Sequence, residues 1–550
     1  MAATGSDSQQ QLAAARGEKK AESKRVARLF DEVAHLVLPW LPLDARARAA
    51  CSREAWRAAA AAPALWAELR FENCDVRVTD AKLAALCARA GHALRSLRLD
   101  APASLLVTGE GLVAALRDGG CAGLRRIFGH LVAPPSFGLT SALAVQLAAA
   151  CPELEHTEFK VSRTSLAEAA QVAAALPGPL TLHISNDGAP VRAESVIRGL
   201  LVLSVTSLAI EECALAGAEK AAICAALRVN NTLKELSLYD DGFDDADAAL
   251  LSEALRVNTT LTSLLLLGDG IGAEGAAALG DTLQVNQALS SLELHSTGIG
   301  GGGTAALGAA LRVNKTLTSL YLCGNGYHDG DTIVLADALR VNNSITLLSL
   351  HDNAIGESDV VAFGAALCVN RTLKSLDVSY NNIGSAGAVV LVEALRMNNT
   401  LTSLNLSQTG LDDDGAEELG ESLRFSGALT QLRLNNNSIG AMGAVALGEA
   451  LRVNSTITTL DLGLNHIDTV GAAVLGHVLR VNSSLTELNL SSNHIDNAAV
   501  TALVKGLRAN STLTMLNLRT HYHGCIIDDA TKAALQQLPR VTTKQLTYIL

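Results

Sequence analysis

Two glycine clusters, a pair of histidines and a scatter of thiols are the groups in this 550-residue chain whose types and spacing could do chemistry. Gly270-Ile-Gly272-Ala-Glu-Gly275 and Gly298-Ile-Gly300-Gly-Gly-Gly303 both satisfy GxGxxG, the spacing that lets backbone N–H groups cradle a phosphate where a helix begins. Equivalent turns at Ile383-Gly384-Ser-Ala-Gly387 and Ile439-Gly440-Ala-Met-Gly443 lack the outer glycine, so the glycines read as parts of a recurring turn rather than a nucleotide site. His521-Tyr-His523 near Cys525 offers metal donors without a fourth ligand at suitable spacing. The ten cysteines stand singly, from Cys51 to Cys525, which predicts reduced and mostly buried thiols. Carboxylates form no paired motif, and spacing alone assigns no Ser/His/Asp or Cys/His set. The expectation is therefore a non-enzyme with no catalytic residues, no cofactor and no metal.

The recurring turn belongs to a long internal repeat. Asparagine returns every 28 residues at Asn230, Asn258, Asn286, Asn314, Asn342, Asn370, Asn398, Asn454, Asn482 and Asn510, an interval broken at Ser426. After each comes Leu-x-x-Leu-x-Leu, as in Leu317, Leu320 and Leu322, which predicts a short strand; twelve such strands are countable from Val205. A second turn residue follows, for example Asp241, Asn325, Asn381 or Asn465, and then an Ala/Leu-rich stretch such as 275–283 that predicts a helix with one buried face. No unit has enough apolar surface to fold alone, so neighbours must stack strand beside strand and helix beside helix. The fold class expected is α/β: a horseshoe solenoid with a parallel concave sheet and outer helices. The asparagines at the helix ends are expected to take the left-handed turn there. The arginines two residues before most of these positions, nine from Arg228 to Arg508, are expected in the last helical turn, opposing the helix dipole.

The pattern Leu-x-x-Leu-x-Leu-x-x-Asn at this period resembles the ribonuclease-inhibitor-like class of leucine-rich repeats over residues 205–518. Residues 71–204, with Phe71-Glu-Asn-Cys74, Leu94-Arg-Ser-Leu97-Arg-Leu99 and Cys151-Pro-Glu-Leu154, look like more irregular repeats of the cysteine-containing type. Upstream, all three tryptophans, Trp40, Trp56 and Trp66, fall in one window whose apolar spacing is helical and broken by prolines. Val33, Leu36 and Val37, the turn Leu41-Pro42-Leu43-Asp44, and Trp56 with Pro63-Ala-Leu65-Trp66 resemble an F-box, the motif that docks substrate receptors onto the Skp-type adaptor of cullin-RING ubiquitin ligases. The resemblance implies that Val33, Leu36, Leu41, Pro42, Leu43, Trp56, Leu65 and Trp66 bind that adaptor. The organisation expected is a tail over 1–25, an F-box-like helical module over 26–70, irregular repeats over 71–204, regular repeats over 205–518 and a C-terminal cap over 519–550. A chain of this kind would be the substrate-recognition subunit of an SCF-type ligase; the alternative is a leucine-rich-repeat scaffold or sensor with no ligase role.

Composition bounds the partners. A chain that is 49% hydrophobic but 3% aromatic fills its core with Leu, Val and Ala, and a net charge of −12 argues against a phosphate-binding groove as the main surface. No run of eighteen apolar residues and no apolar secretory core is seen, so the reading places the chain in the cytosol or nucleus, with neither nucleic acid nor membrane as partner.

What remains is the inner wall. In each Leu-x-Leu strand the middle residue points away from the core, since side chains alternate faces, and these positions vary where the rest repeats. A protein target of unknown identity is expected to meet Tyr239, Leu265, Leu267, Glu293, His295, Tyr321, His351, Asp377, Tyr380 and Arg433.

Overall fold

The computed structural model describes residues 67–70, 78–99, 105–131, 141–162, 175–176, 180–185, 205–268, 270–519 and 547–549. These fall in two compact units, residues 1–191 with 198–206 and residues 192–197 with 207–550.

In the second unit strand and helix alternate without interruption from the strand Val205–Glu211, whose first two residues belong to the first unit, to the strand Met515–Asn517. The strands are short, five residues at Glu235–Tyr239 and three from Ser319–Tyr321 onward, because only the Leu-x-Leu core of each unit needs to pair. All pairing in this sheet is parallel. Register advances by one repeat at every step: Leu236 faces Leu264, Leu264 faces Leu292, Leu376 faces Leu404, Leu460 faces Leu488. Each leucine column is therefore continuous, and Leu236, Leu264, Leu292, Leu320, Leu348, Leu376 and their successors are at most a few per cent exposed. Helices such as Asp245–Leu255 and Ala441–Leu451 pack behind the sheet through Ala248, Leu251, Leu255, Ala444, Leu447 and Leu451. Strands sit about 4.8 Å apart whereas helices need about 8–10 Å, so the strand side of this stack is its inner wall. Truncating one of these leucines to alanine removes about 2–5 kcal/mol.

Two hydrogen-bonded seams close the stack where the sheet ladder ends. At the helix ends, Asn258 Nδ2 donates to Leu227 O (2.7 Å) and Asn230 O (3.2 Å) of the repeat before, while its Oδ1 accepts from Thr260 N (2.9 Å) and Leu261 N (2.8 Å). The same four bonds recur at Asn370, Asn398, Asn454 and Asn482. This corrects the sequence expectation. These asparagines do not supply a left-handed turn; Asn370, for one, has φ −66° and ψ 135°. Their place is set by the orphan carbonyls of the preceding helix, which the buried amide satisfies. The arginines likewise lie one residue beyond the last helical turn, as Arg256, Arg396 and Arg480 show.

At the strand ends, Asn381 Nδ2 donates to Leu350 O and Val378 O (both 2.9 Å) and its Oδ1 accepts from Ile355 N (3.0 Å). Asn437 does the same with Leu406 O, Leu434 O, Thr409 N and Leu411 N. The left-handed residue is the one just before this second seam. Glu212, Asp240, Ser296, Asp352, Tyr380, Gln408, Asn436, Leu464 and Ser492 have φ between 50° and 57°, and glycine takes the position at Gly268 and Gly324. Each turns its N–H onto the next repeat, as Tyr380 N does onto Ser407 O (2.9 Å).

The first unit stacks on the same plan with uneven steps. Glu68 pairs with Ser96, Ser96 with Arg126, Arg126 with His156, but Thr157 with Leu180. Its helices Gly109–Asp118 and Ser141–Ala150 are followed by thiols in place of asparagine amides, Cys121 Sγ donating to Cys87 O within the helix Asp80–Ala90 (3.5 Å) and Cys151 Sγ to Cys121 O (3.7 Å). Burial pushes the Cys151 thiol up to about 12, which keeps it a neutral packing group.

Candidate functional site

The glycine turns come first, because they carried the only phosphate-like spacing. Gly272 caps the helix Ala273–Leu283, and the N–H groups of Gly272 and Gly275 both donate to Asp245 Oδ1 of the repeat before, at 3.0 and 2.5 Å. Asp413 serves Gly440 and Gly443 in the same way at 2.6 and 2.8 Å. An internal carboxylate therefore sits where an anion would bind. The glycines are required because a Cβ at Gly275 would lie 2.9 Å from the Ala248 Cβ and 3.0 Å from Asp245 Oδ1. Among the described residues no group of three His, Cys, Asp or Glu side chains could hold a metal ion. His521, His523 and Cys525 lie outside the described residues, as do all eight adaptor-binding candidates, Val33, Leu36, Leu41, Pro42, Leu43, Trp56, Leu65 and Trp66.

On the inner wall the ten expected partner-binding residues separate into two groups. His351, Asp377, Tyr380 and Arg433 line one open groove of about 560 Å³, together with Cys323, Ser349, Ser379, Asn405, Ser407, Asn435 and Asp461. Tyr239, Leu265, Leu267, Glu293 and His295 lie on the preceding strands and Tyr321 on the first strand the groove crosses, all outside its lining. The groove runs across six strands, from Ser319–Tyr321 to Thr459–Asp461, or about 24 Å at 4.8 Å per step.

Its floor is small and polar. Ser349, Ser379 and Ser407 occupy outward positions yet are only 6%, 1% and 3% exposed, because larger neighbours on adjoining strands cover them. Ser379 Oγ donates to Asp377 Oδ1 (2.5 Å) and accepts from Asn405 Nδ2 (3.1 Å), which leaves His351 Nδ1, 2.9 Å away, as a donor to it. Asn405 Nδ2 also reaches Asp377 Oδ2 (3.0 Å), and Ser407 Oγ lies 2.6 and 2.5 Å from the side-chain oxygens of Asn405 and Asn435. Cys323 Sγ meets Ser349 Oγ at 3.3 Å. One wall is aromatic: the His351 and Tyr380 rings meet edge-on with centroids 4.8 Å apart. At the other end Asp461 accepts from Gly463 N (2.9 Å) and Asn489 Nδ2 (2.8 Å). Burial raises its pKa above the usual carboxylate range, against the pull of the Gly463 N–H, Asn489 and Arg433. Arg433 itself is exposed, and no carboxylate lies in ion-pair contact with it among the described residues.

The other group is organised by charge. His295 Nε2 sits 3.2 Å from Glu293 Oε2, and its ring lies 6.1 Å from that of Tyr321. Burial works against the imidazolium, but Cys323 and the Glu293 carboxylate outweigh it and the His295 pKa is pushed up to about 9. The residues that sequence reasoning passed over, Ser379, Asn405, Ser407, Asn435 and Asp461, carry a usable signal: consecutive strands with short polar side chains at outward positions leave a trough between bulkier ones.

Residues 369–392, 398–420, 453–476 and 481–504 match the family model described as Leucine Rich repeat. No curated protein matches the chain in sequence. Among solved structures, an internalin (inlF) from Listeria monocytogenes str. 4b F2365 is 16% identical over 75% of this chain and 89% of that one, with a TM-score of 0.35. The leiomodin-1 actin-binding site 2 is 22% identical over 28% of this chain and 86% of that one, with a TM-score of 0.24. No described helix is long and apolar enough to cross a membrane. The constant register, the two asparagine seams and the four matching stretches give this part of the chain the α/β fold of a leucine-rich-repeat solenoid.

Proposed function

We propose that the chain is a non-enzymatic receptor that holds a protein partner on the inner wall of its regular repeats. The observation that carries this reading is the groove from Cys323 to Asp461: long, open and edged by hydrogen-bonding groups on consecutive strands. A trough about 24 Å long accommodates about seven residues of extended polypeptide at 3.3 Å each, and an enclosed small molecule would leave most of it in water. Tyr380 and His351 offer an aromatic edge, while Arg433 offers an exposed cation. The fold supplies many such walls without chemistry of its own, so the function rests on these side chains.

In the finer form of this reading, the partner is a ubiquitination target and the F-box-like segment 29–70 docks on a Skp-type adaptor. Its support is the spacing of Leu41-Pro42-Leu43, Trp56 and Pro63-Ala-Leu65-Trp66. The receptor would contribute proximity and orientation, and its partners would perform the transfer.

Two measurements test the two halves separately. Affinity capture with the full chain and with Tyr380→Ala/Arg433→Glu should give sets of captured proteins that differ; identical sets reject the groove. Copurification with a purified Skp-type adaptor should be lost in Leu41→Ala/Pro42→Ala. A chain that never binds adaptor is a scaffold or sensor without a ligase role.

A further inference from the structure

A second surface of the regular repeats is as continuous as the inner wall and lies away from it. The residue just before each helix-end seam position from Asn230 to Asn482 is apolar and points into water: Val229, Val313, Met397, Phe425 and Val481 represent a row of ten, one per repeat, each between 49% and 72% exposed. Single exposed valines mean little, but ten in one line form a patch of the kind that marks a contact surface. On either side of the row lie the arginine and the residue after the seam asparagine, all exposed apart from half-buried Cys368. This three-position band carries nine arginines from Arg228 to Arg508, with Lys315 and Arg371, and no carboxylate, in a chain of net charge −12.

The band is also level. Every strand pairs with the next at an offset of one repeat and no stagger, so equivalent residues do not shift along the strand direction from one rung to the next. A level, curved row of ten rungs is matched over its whole length by a plane, or by the same row turned over. A straight helix would touch only part of it. A second copy would set arginine against arginine, which like charge disfavours. Four of the arginines hold a carboxylate of their own helix at 3.0 to 3.9 Å, Arg256 with Glu253, Arg340 with Asp337, Arg424 with Glu421 and Arg452 with Glu449. Arg396 stacks on the Phe425 ring at 4.7 Å, which presents cation and apolar group together.

We infer that this rim docks the protein onto an anionic phospholipid surface, its valines and Phe425 entering the headgroup boundary while its arginines meet lipid phosphates and carboxylates. Interfacial binding of this kind combines buried apolar area with electrostatic attraction and needs no spanning segment. The sequence reading excluded a membrane partner by looking for a span, which this contact does not use. The inference stands apart from the inner-wall proposal, since the groove residues are on another face.

The test is co-sedimentation of the full chain with phosphatidylcholine vesicles, with and without phosphatidylserine, at low and high salt. Binding is expected to the anionic vesicles alone and to fall with salt. Arg312→Gln/Arg340→Gln/Arg480→Gln should weaken it about a hundredfold, at about 1 kcal/mol for each arginine near the surface. Val313→Ser/Val341→Ser should cost about tenfold. These side chains are exposed, so thermal melts of the variants should match the parent and separate lost binding from lost folding. Failure to bind anionic vesicles at low salt overturns the inference. So does full binding by the serine variant, which would leave a charge-only surface for an acidic protein or a nucleic acid.

Discussion

The helix-end seam and the inner-wall groove are both runs of polar side chains bonded from repeat to repeat, and they differ in one respect. In the seam the same amide returns at Asn258, Asn370, Asn398 and Asn482, each making two donor and two acceptor bonds to backbone and each almost fully buried. In the groove the bonded groups change at every step, from Cys323 through His351 and Asp377 to Asn435, and the bonds run between side chains at a surface. Backbone satisfied by an invariant amide closes a stack. Side chains satisfied by one another leave spare lone pairs and donors for a visitor.

The largest expected effect breaks this contrast from the seam side. Asn398→Ala strands the carbonyls of Leu367 and Asn370 and the N–H groups of Thr400 and Leu401, and should remove about 2–4 kcal/mol in urea denaturation, with Asn405→Ala in the groove costing less than about 1 kcal/mol. Equal losses at the two sites would erase the distinction. The next test repairs the seam where it is broken. Ser426 fills the asparagine position, 5% exposed, and its hydroxyl has no partner among the described residues. Ser426→Asn restores donors toward Leu395 O and Asn398 O and should raise stability by about 1–2 kcal/mol; a loss would show that the site had closed around serine.

A smaller gain is expected at Tyr327, which replaces the isoleucine of sister repeats such as Ile355 and Ile383. It is fully buried, and its hydroxyl has no partner among the described residues. Tyr327→Phe should add about 1 kcal/mol, seen as a higher Tm, and an unchanged or lower Tm would contradict the unsatisfied hydroxyl. The smallest effect belongs to the wall. With a folded pKa of about 9 against an ordinary 6.5, His295 contributes stability that is complete below about pH 6.5 and is lost as pH rises through 9. Titration of its ring protons by NMR should show this, and Glu293→Gln should lower the midpoint. A midpoint near 6.5 in the parent would remove the ion pair.

The stack was legible in the sequence because its causes are periodic. A buried leucine column and an amide that must meet the carbonyls of the previous unit recur at one interval, and no insertion between Asn230 and Asn510 obscures it. Two things were hidden. The left-handed position is filled by Glu212, Tyr380, Gln408 and Leu464, whose types give no conformational signal, since the stacked backbone of the next repeat imposes the turn. The groove depends on which outward residues are short, so ranking by aromatic or apolar character favoured Tyr239, Leu265 and Leu267 over Ser379 and Ser407. His295 and Glu293 were chosen as separate contacts, and their pairing required the strand to hold both on one face.

The unstaggered pairing also sets how such a molecule can change size. Removing or duplicating a block equal to one period anywhere between Asn258 and Asn510 rejoins amide to carbonyl and leucine to leucine with nothing left over, whereas a cut of any other length leaves both seams mismatched at the join. A block added between Ser319 and Asp461 therefore lengthens the groove and the charged rim together, in whole steps, whereas one added outside those strands lengthens the rim alone.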